Sequence, residues 1–463
     1  MHRSKSLSRR KTSRARLGAL LLSLGLLSSG LLGSSLAEAA GTMKPMAIRA
    51  GKMEPLAQPN ATTFFNCETR AYADPNLFCY GPAAIRNAYG TAGLIANGID
   101  GRGQTIVIID AYGSPTAQAD LAAFDSQFGL PPPPSFKVIN LNPKPFDPTD
   151  SNQLGWADET SLDVQWSHAV APGANIVLIE AASDNDADLL AAQNYAIEHE
   201  LGNVITESYG QSENELVLLG AAGIADLQAN EASYIAARRK GIAVFVSAGD
   251  SGVFNDMSTD AKGNFLFPFP TASYPASSPN VTSVGGTNLF FGTPFAATPN
   301  GAFQTEVVWN DGYGAGGGGV SGYFAAPAYQ TQTLPAGTLA VLGGFRGYPD
   351  VSYNAGVVGG VLVYLGFLPV ANQGFYLFGG TSAGAPQWAG VAALLGQQAG
   401  HGIGFLNNRL YALAGAKARD VAAGQNGFFG VSGYIASPTW DLATGWGSPS
   451  AGLLKLLPQV SGD

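Results

Sequence analysis

Phe378-Gly379-Gly380-Thr381-Ser382-Ala383-Gly384-Ala385-Pro386 runs directly into Gln387-Trp388-Ala389-Gly390-Val391-Ala392-Ala393-Leu394-Leu395. The paired glycines permit a sharp turn, and the Ala-rich apolar run after them predicts a helix. Ser382 is thereby presented at a helix N-terminus, where unpaired N–H groups and the helix dipole favour developing negative charge. Two readings fit these residues: a nucleophile, or an N-cap in front of a core helix. A serine nucleophile needs a base within hydrogen-bond reach, so the rest of the chain must decide between them.

Upstream, Gln104–Asp110 (QTIVIID) is an apolar run bounded by glycines and reads as a buried parallel strand, with a helix expected over Ala117–Phe128. The pattern repeats: a strand at Asn175–Ala181, a helix at about Asp186–Glu200, a strand at Val204–Ser208, a helix at about Ile224–Arg239 and a strand at Ile242–Ser247. Such alternation predicts an α/β fold with a mostly parallel central sheet and helices on both faces. A short helix is expected from Pro82, Pro131–Pro134 reads as a stiff connection, and residues 40–66 read as an extended, aperiodic arm. With 61 glycines and 28 prolines in 463 residues, many turns are required, yet one large domain accounts for the chain better than two.

Residues 2–16 carry seven basic residues ahead of an apolar run, Leu17–Leu36, and the small-residue pattern Ala37-Glu38-Ala39. This reads as a signal peptide over 1–39, so the protein is expected to be secreted, extracellular or periplasmic, with no membrane segment once it is cleaved. Without residues 1–39 the formal charge is −15, from 17 Lys+Arg against 32 Asp+Glu. A surface of that sign repels nucleic acid and suits an acidic medium, where carboxylates take up protons. Cys67 and Cys79 are the only two cysteines, and in an exported chain they read as one disulfide, stabilising by about 3 kcal/mol on the chain-entropy model.

Three further stretches offer chemistry. Trp156–Ala169 has helical periodicity and sets Glu159 and Asp163 one turn apart on the same face. Like charges at that spacing repel, which fits either a solvated acidic face or a coupled carboxylate pair. Ser247-Ala248-Gly249-Asp250-Ser251-Gly252 follows a predicted strand, at the edge of a parallel sheet where sites form; Asp250 either caps a turn or, in an apolar setting, stays protonated and donates a hydrogen bond. Arg419–Gly427 and Ser437–Pro449 are turn-rich segments with one carboxylate each, Asp420 and Asp441, and several carbonyls, the hard oxygen ligands that calcium prefers. The histidines are His2, His168, His199 and His401, with no pair at metal-ligand spacing. Gly316–Gly319 lacks the lysine of a phosphate loop, and Asp184–Asp188 lacks the glycine and glutamate of a calcium-binding helix–loop–helix.

Together these motifs resemble those of the sedolisin family, the serine-carboxyl peptidases with a subtilisin-like fold. Gly380-Thr381-Ser382-Ala383-Gly384-Ala385-Pro386 is similar to the subtilisin-type nucleophile motif, while Glu159-Thr160-Ser161-Leu162-Asp163 and Ser247-Ala248-Gly249-Asp250 stand in place of the histidine motif. Tyr274-Pro275-Ala276, Arg346–Ser352 and the Asp420/Asp441 pair also resemble family signatures, and the likeness extends from about Cys79 to Pro458. It implies a signal peptide (1–39), an arm (40–78) in place of the long prosegment of most members, and a peptidase domain (79–463). Ser437 and Thr439 stand where the family usually has glycines.

The resemblance implies a secreted, monomeric endopeptidase acting on protein or peptide substrates. Ser382 attacks the scissile carbonyl, Glu159 takes its proton, Asp163 holds Glu159, and protonated Asp250 donates to the oxyanion. It also implies one structural Ca2+ on Asp420, Asp441 and the main chain of Val421, Ser437 and Thr439. Ser208-Tyr209-Gly210, after a strand, is expected to line the substrate cleft by β-pairing. An ionised base beside a protonated donor requires acid, roughly pH 3–5 at ordinary carboxyl pKa values. Two other classes compete: an inactive secreted binding module on the same fold, and a neutral Ser-His-Asp hydrolase in which His168 is the base.

Overall fold

The computed structural model describes residues 41–60, 63–69, 77–142, 144–255, 262–291 and 303–460, so the expected leader lies outside the described residues. The arm opens with two strands, β1 (Lys44–Pro45) and β2 (Ile48–Met53). The central sheet follows with β3 (Thr105–Ala111), β4 (Phe136–Asn140), β5 (Asn175–Ala181) and β6 (Val204–Glu207). After a short strand outside this sheet, β7 (Tyr209–Ser212), it is completed by β8 (Ala243–Ser247), β9 (Thr282–Phe291), β10 (Phe303–Val308) and β11 (Val351–Asn354).

The eight strands lie in the order β10-β9-β8-β6-β3-β5-β4, with β11 also on β9. Every pair is parallel except β9–β10. Alternate residues of β3 supply two cores. Ile106 and Ile108 pack with Trp166 and Ala389 on one face, and Val107 and Ile109 pack with Leu189 and Leu227 on the other. This is why QTIVIID is apolar without alternation: both faces of a parallel strand are covered.

The first face is covered by α1 (Ala117–Phe128), α2 (Ser151–Val170) and, at the far end of the chain, a helix of Gly384–Ala399. The second carries Asp186–Glu198 and Ala221–Arg239. Asp150 caps α2, its carboxylate accepting from Asn152 N at 2.9 Å. From Trp156 onward every residue of α2 is buried, so the reading of a solvated acidic face does not hold. The 384–399 helix is buried from Gly384 to Gly396 and crosses α2 at close range. A Cβ at Gly390 would lie 2.8 Å from Val170 Cβ, so only glycine permits that approach.

The arm is extended, and its strands are paired: β1 pairs antiparallel with β7, and β2 pairs antiparallel with β13 (Gly374–Gly379), the strand that runs into Ser382. The pairing is main-chain hydrogen bonding, which leaves no alternation to read. Strand β12 (Gly360–Leu365) continues that second sheet to Cys79–Tyr80, and Cys79 is disulfide-bonded to Cys67. Among the described residues, no helix is long and apolar enough to cross a membrane.

Candidate active site

Ser382 sits in a single 3-10 turn, Thr381–Ala383, between β13 and the helix of Gly384–Ala399. The cap position falls on Ala383 and no side chain caps the helix, so Ser382 is not an N-cap. Its Oγ lies 3.4 Å from the carbonyl of Ser208, at the end of β6. Glu159 and Asp163, one turn apart on α2, are as fully buried as Ser382, at 0 % exposure each. Burying charge that deeply is costly without partners, and here the partners are few.

Burial is the largest cause that holds the Glu159 pKa well above the ordinary carboxyl value, followed by the charge of Asp110. The Ser382 hydroxyl and the Met46 N–H act in the opposite sense, favouring the ionised form. Asp163 is raised for the same first reason, then by Asp110 and Glu159, while its Oδ1 accepts from Ser208 Oγ at 2.9 Å. The pair was legible in the sequence; the third carboxyl was not. Asp110, the penultimate residue of β3, is fully buried, and burial pushes it up to about 7. It ends an apolar strand at the carboxyl edge of the sheet, the same signal that drew attention to Asp250. Glu180 and Glu207, near the ends of β5 and β6, are likewise pushed up to about 7 by burial.

Asp250 follows β8 and reaches the Thr381–Ala383 turn, its Oδ1 accepting from Thr381 N at 2.7 Å and from Thr381 Oγ1 at 2.8 Å. Burial raises it to about 7 against the effect of these two bonds. Its Oδ2 has no hydrogen-bond partner. That oxygen lies 2.5 Å from where a Cβ at Gly380 would stand, and the backbone there has φ 111°. Gly380 is therefore needed twice, for its conformation and for the space beside Asp250.

Ser208 lies beside Ser382, and β1 is paired with the two residues after it, Lys44 opposite Gly210 and Pro45 opposite Tyr209. The open space that remains is a cavity of about 340 Å³, bounded by Pro45 and Met46, Gly210–Ser212, Asp250 and Phe429. The three described histidines are engaged elsewhere: His168 Nε2 with the Pro131 carbonyl (2.8 Å) and Asp125 (3.2 Å), His199 against the Tyr195 ring, and His401 with the Gly402 carbonyl. The suggested calcium ligands form a separate group. Asp420 Oδ2 accepts from Thr439 N and Asp441 Oδ2 from Ser437 N, each at 2.9 Å, while Thr444 Oγ1 contacts the Val421 carbonyl at 3.3 Å.

Residues 151–447 match the model of the subtilase family. The chain is 33% identical over 391 residues to kumamolisin of Bacillus sp. (strain MN-32), covering 82% of this chain and 64% of that protein. It is 32% identical over 358 residues to sedolisin of Pseudomonas sp. (strain 101), covering 74% and 56% respectively. The chain thus spans a little over half of these relatives' lengths. A solved structure of Pseudomonas sedolisin, a serine-carboxyl proteinase complexed with two molecules of pseudo-iodotyrostatin, superposes with a TM-score of 0.66 at 28% identity, covering 82% of this chain and 97% of that one. With a Gly-Gly-Thr-Ser turn, a buried carboxyl pair and, among the described residues, no histidine beside them, the chain belongs to the subtilase family and, within it, to the sedolisins.

Proposed function

We propose that the protein is an exported serine-carboxyl endopeptidase that cuts protein or peptide substrates in acid. The observation that carries this reading is the convergence of Ser382, Glu159, Asp163 and Asp250, from three separate stretches of chain, at one cleft edge. Ser382 Oγ attacks the scissile carbonyl and Glu159 takes its proton. Asp163, held by Ser208, keeps Glu159 in place and shares its charge. Asp250 Oδ2, protonated and otherwise unpaired, donates to the oxyanion. Glu159 then returns the proton to the leaving amine, and water repeats the sequence on the acyl-enzyme. Export is supported by the leader pattern and by the disulfide. An inactive binding module has no use for four such groups, and among the described residues a Ser-His-Asp hydrolase has no histidine placed for it.

Activity requires the Asp110/Glu159/Asp163 cluster to have lost a proton while Asp250 keeps one. Burial raises all of these groups, so the working range moves upward from that given by ordinary carboxyl values, and the alkaline limit falls near pH 7, where Asp250 ionises. The test is turnover of a denatured protein by culture medium from about pH 2 to 8. A maximum on the acid side is expected, with loss through about pH 7. A plateau extending into alkali would mean that no carboxyl donor is at work.

One structural Ca2+ belongs to the same reading. Two turns face each other with only oxygen ligands to offer, the carboxylates of Asp420 and Asp441 and the carbonyls of Val421, Ser437 and Thr439, a set that suits a hard cation. Thr439, where relatives usually have glycine, is held at φ 75°, a left-handed conformation that costs a β-branched residue on the order of 1–3 kcal/mol. Bound calcium would tie the two turns together. At 100 times its dissociation constant, an ion bound only to the native state stabilises by about 2.7 kcal/mol. The melting midpoint should therefore fall on adding chelator, and Asp441→Ala should remove the response; an unchanged midpoint in the parent protein rejects the ion.

A further inference from the structure

Thr381, the residue before the nucleophile, is completely buried. Its hydroxyl oxygen accepts from Gly249 N at 3.0 Å, and its hydroxyl hydrogen is directed to Asp250 Oδ1 at 2.8 Å. The Thr381 N–H donates to that same oxygen at 2.7 Å. Two donors on one carboxyl oxygen select it as the carbonyl oxygen, because the protonated oxygen of a carboxylic acid is the poorer acceptor. A proton on Oδ1 would have to displace the Thr381 hydroxyl hydrogen, which has no second acceptor among the described residues. Asp250 Oδ2, by contrast, has no partner among them and faces the space beside Gly380.

We propose that Thr381 is a positioning residue: by engaging Asp250 Oδ1 through both its hydroxyl and its N–H, it confines the acid proton to Oδ2, where the oxyanion forms. This rests on the peptidase reading and adds to it which oxygen of Asp250 donates, and why. Thr381 acts only through Asp250. The same two bonds would turn the amide of an Asp250→Asn variant so that its oxygen meets Thr381 and its N–H faces outward. The arrangement carries a cost, because both bonds also favour the carboxylate. They draw Asp250 down against burial, the larger effect, and against the charge of Asp311. Glu159 interacts with the same carboxyl, and Lys44, Glu215 and Tyr313 line the cavity beside it; a change at Thr381 alters none of these groups. Thr381 thus narrows the pH range from the alkaline side and in exchange aims the proton.

The test measures kcat and KM on a denatured protein against pH in the parent, Thr381→Val and Thr381→Ser. Valine keeps the shape and the N–H but removes the hydroxyl. Its kcat should fall about tenfold, the worth of one orienting hydrogen bond, with KM changed by less than about twofold. Its alkaline limb should move upward by up to about one pH unit, because the carboxylate has lost a donor, while the acid limb stays. A lower rate over a wider range marks a misdirected proton; loosened packing lowers the rate and leaves the limb in place. Serine, which keeps the hydroxyl, should restore both. In an Asp250→Ala background the valine change should alter the residual kcat by no more than about twofold, since no proton is left to aim. Valine leaves the Gly249 N–H without its partner, so melting is followed on each sample. If that variant does not fold, Thr381→Cys, with its weak S–H donor, should show both shifts in smaller measure. An unmoved alkaline limb, a loss in the serine variant equal to that in valine, or full additivity with Asp250→Ala overturns the proposal. If the parent digests protein in acid and Thr381→Val matches it, this proposal alone fails; if the parent digests nothing, the peptidase reading fails with it.

Discussion

Ser382→Ala is expected to lower kcat on a denatured protein by about 10⁶-fold and to leave the melting midpoint close to that of the parent. The rate loss is that of removing a nucleophile whose partners act only through it. Glu159 without Ser382 has no proton to take, and Asp250 without an acyl-enzyme has no oxyanion to hold. The fold is spared because the deleted oxygen touches only the Ser208 carbonyl, at 3.4 Å, and the Glu159 carboxyl, whereas the turn is held by Thr381 through its two bonds to Asp250. Comparing kcat and melting on the same sample separates the two effects. Turnover within tenfold of the parent would place the nucleophile elsewhere; a collapse of the melting midpoint would make Ser382 a packing residue.

Asp250 carries the second large effect. Asp250→Ala removes the oxyanion donor and should cost about 10²–10³ in kcat, as for one donor of an oxyanion hole. Asp250→Asn keeps the shape and an N–H donor, so it should retain more activity. The decisive reading is the pH profile. The parent loses its donor as pH rises through about 7, the value to which burial lifts this carboxyl. An amide does not titrate there, so the alkaline limb of the asparagine variant should move upward. Equal losses in both variants, with the limb unmoved, would leave Asp250 as a ligand of the Thr381 turn and nothing more.

Much of this arrangement was legible in the sequence because it depends on local pattern. A Gly-Gly turn before an Ala-rich helix, two carboxylates four apart and an aspartate just past an apolar strand each appear within a dozen residues. Asp110 was passed over because it was read only as the close of a strand, and its nearness to Glu159 depends on where α2 crosses the sheet. The pairing of the arm was illegible for a related reason. Strand pairing of Lys44–Pro45 and Ile48–Met53 is written in partners more than a hundred residues away, and main-chain bonds leave no mark on composition.

The carboxyls set at the carboxyl edge of the central sheet make the hydrogen ion a ligand of the folded state. Asp110, Glu180 and Glu207, and also Asp158 of α2, lose their protons at about 7 when buried, but near 4 in an unfolded chain. Between those values the native molecule holds protons that the unfolded one has released, so stability is greatest below about pH 4 and drains away as pH rises through about 7. Neutral surroundings therefore loosen the sheet from within at the same pH at which Asp250 ceases to donate. For a molecule built in this way, acid is a structural component.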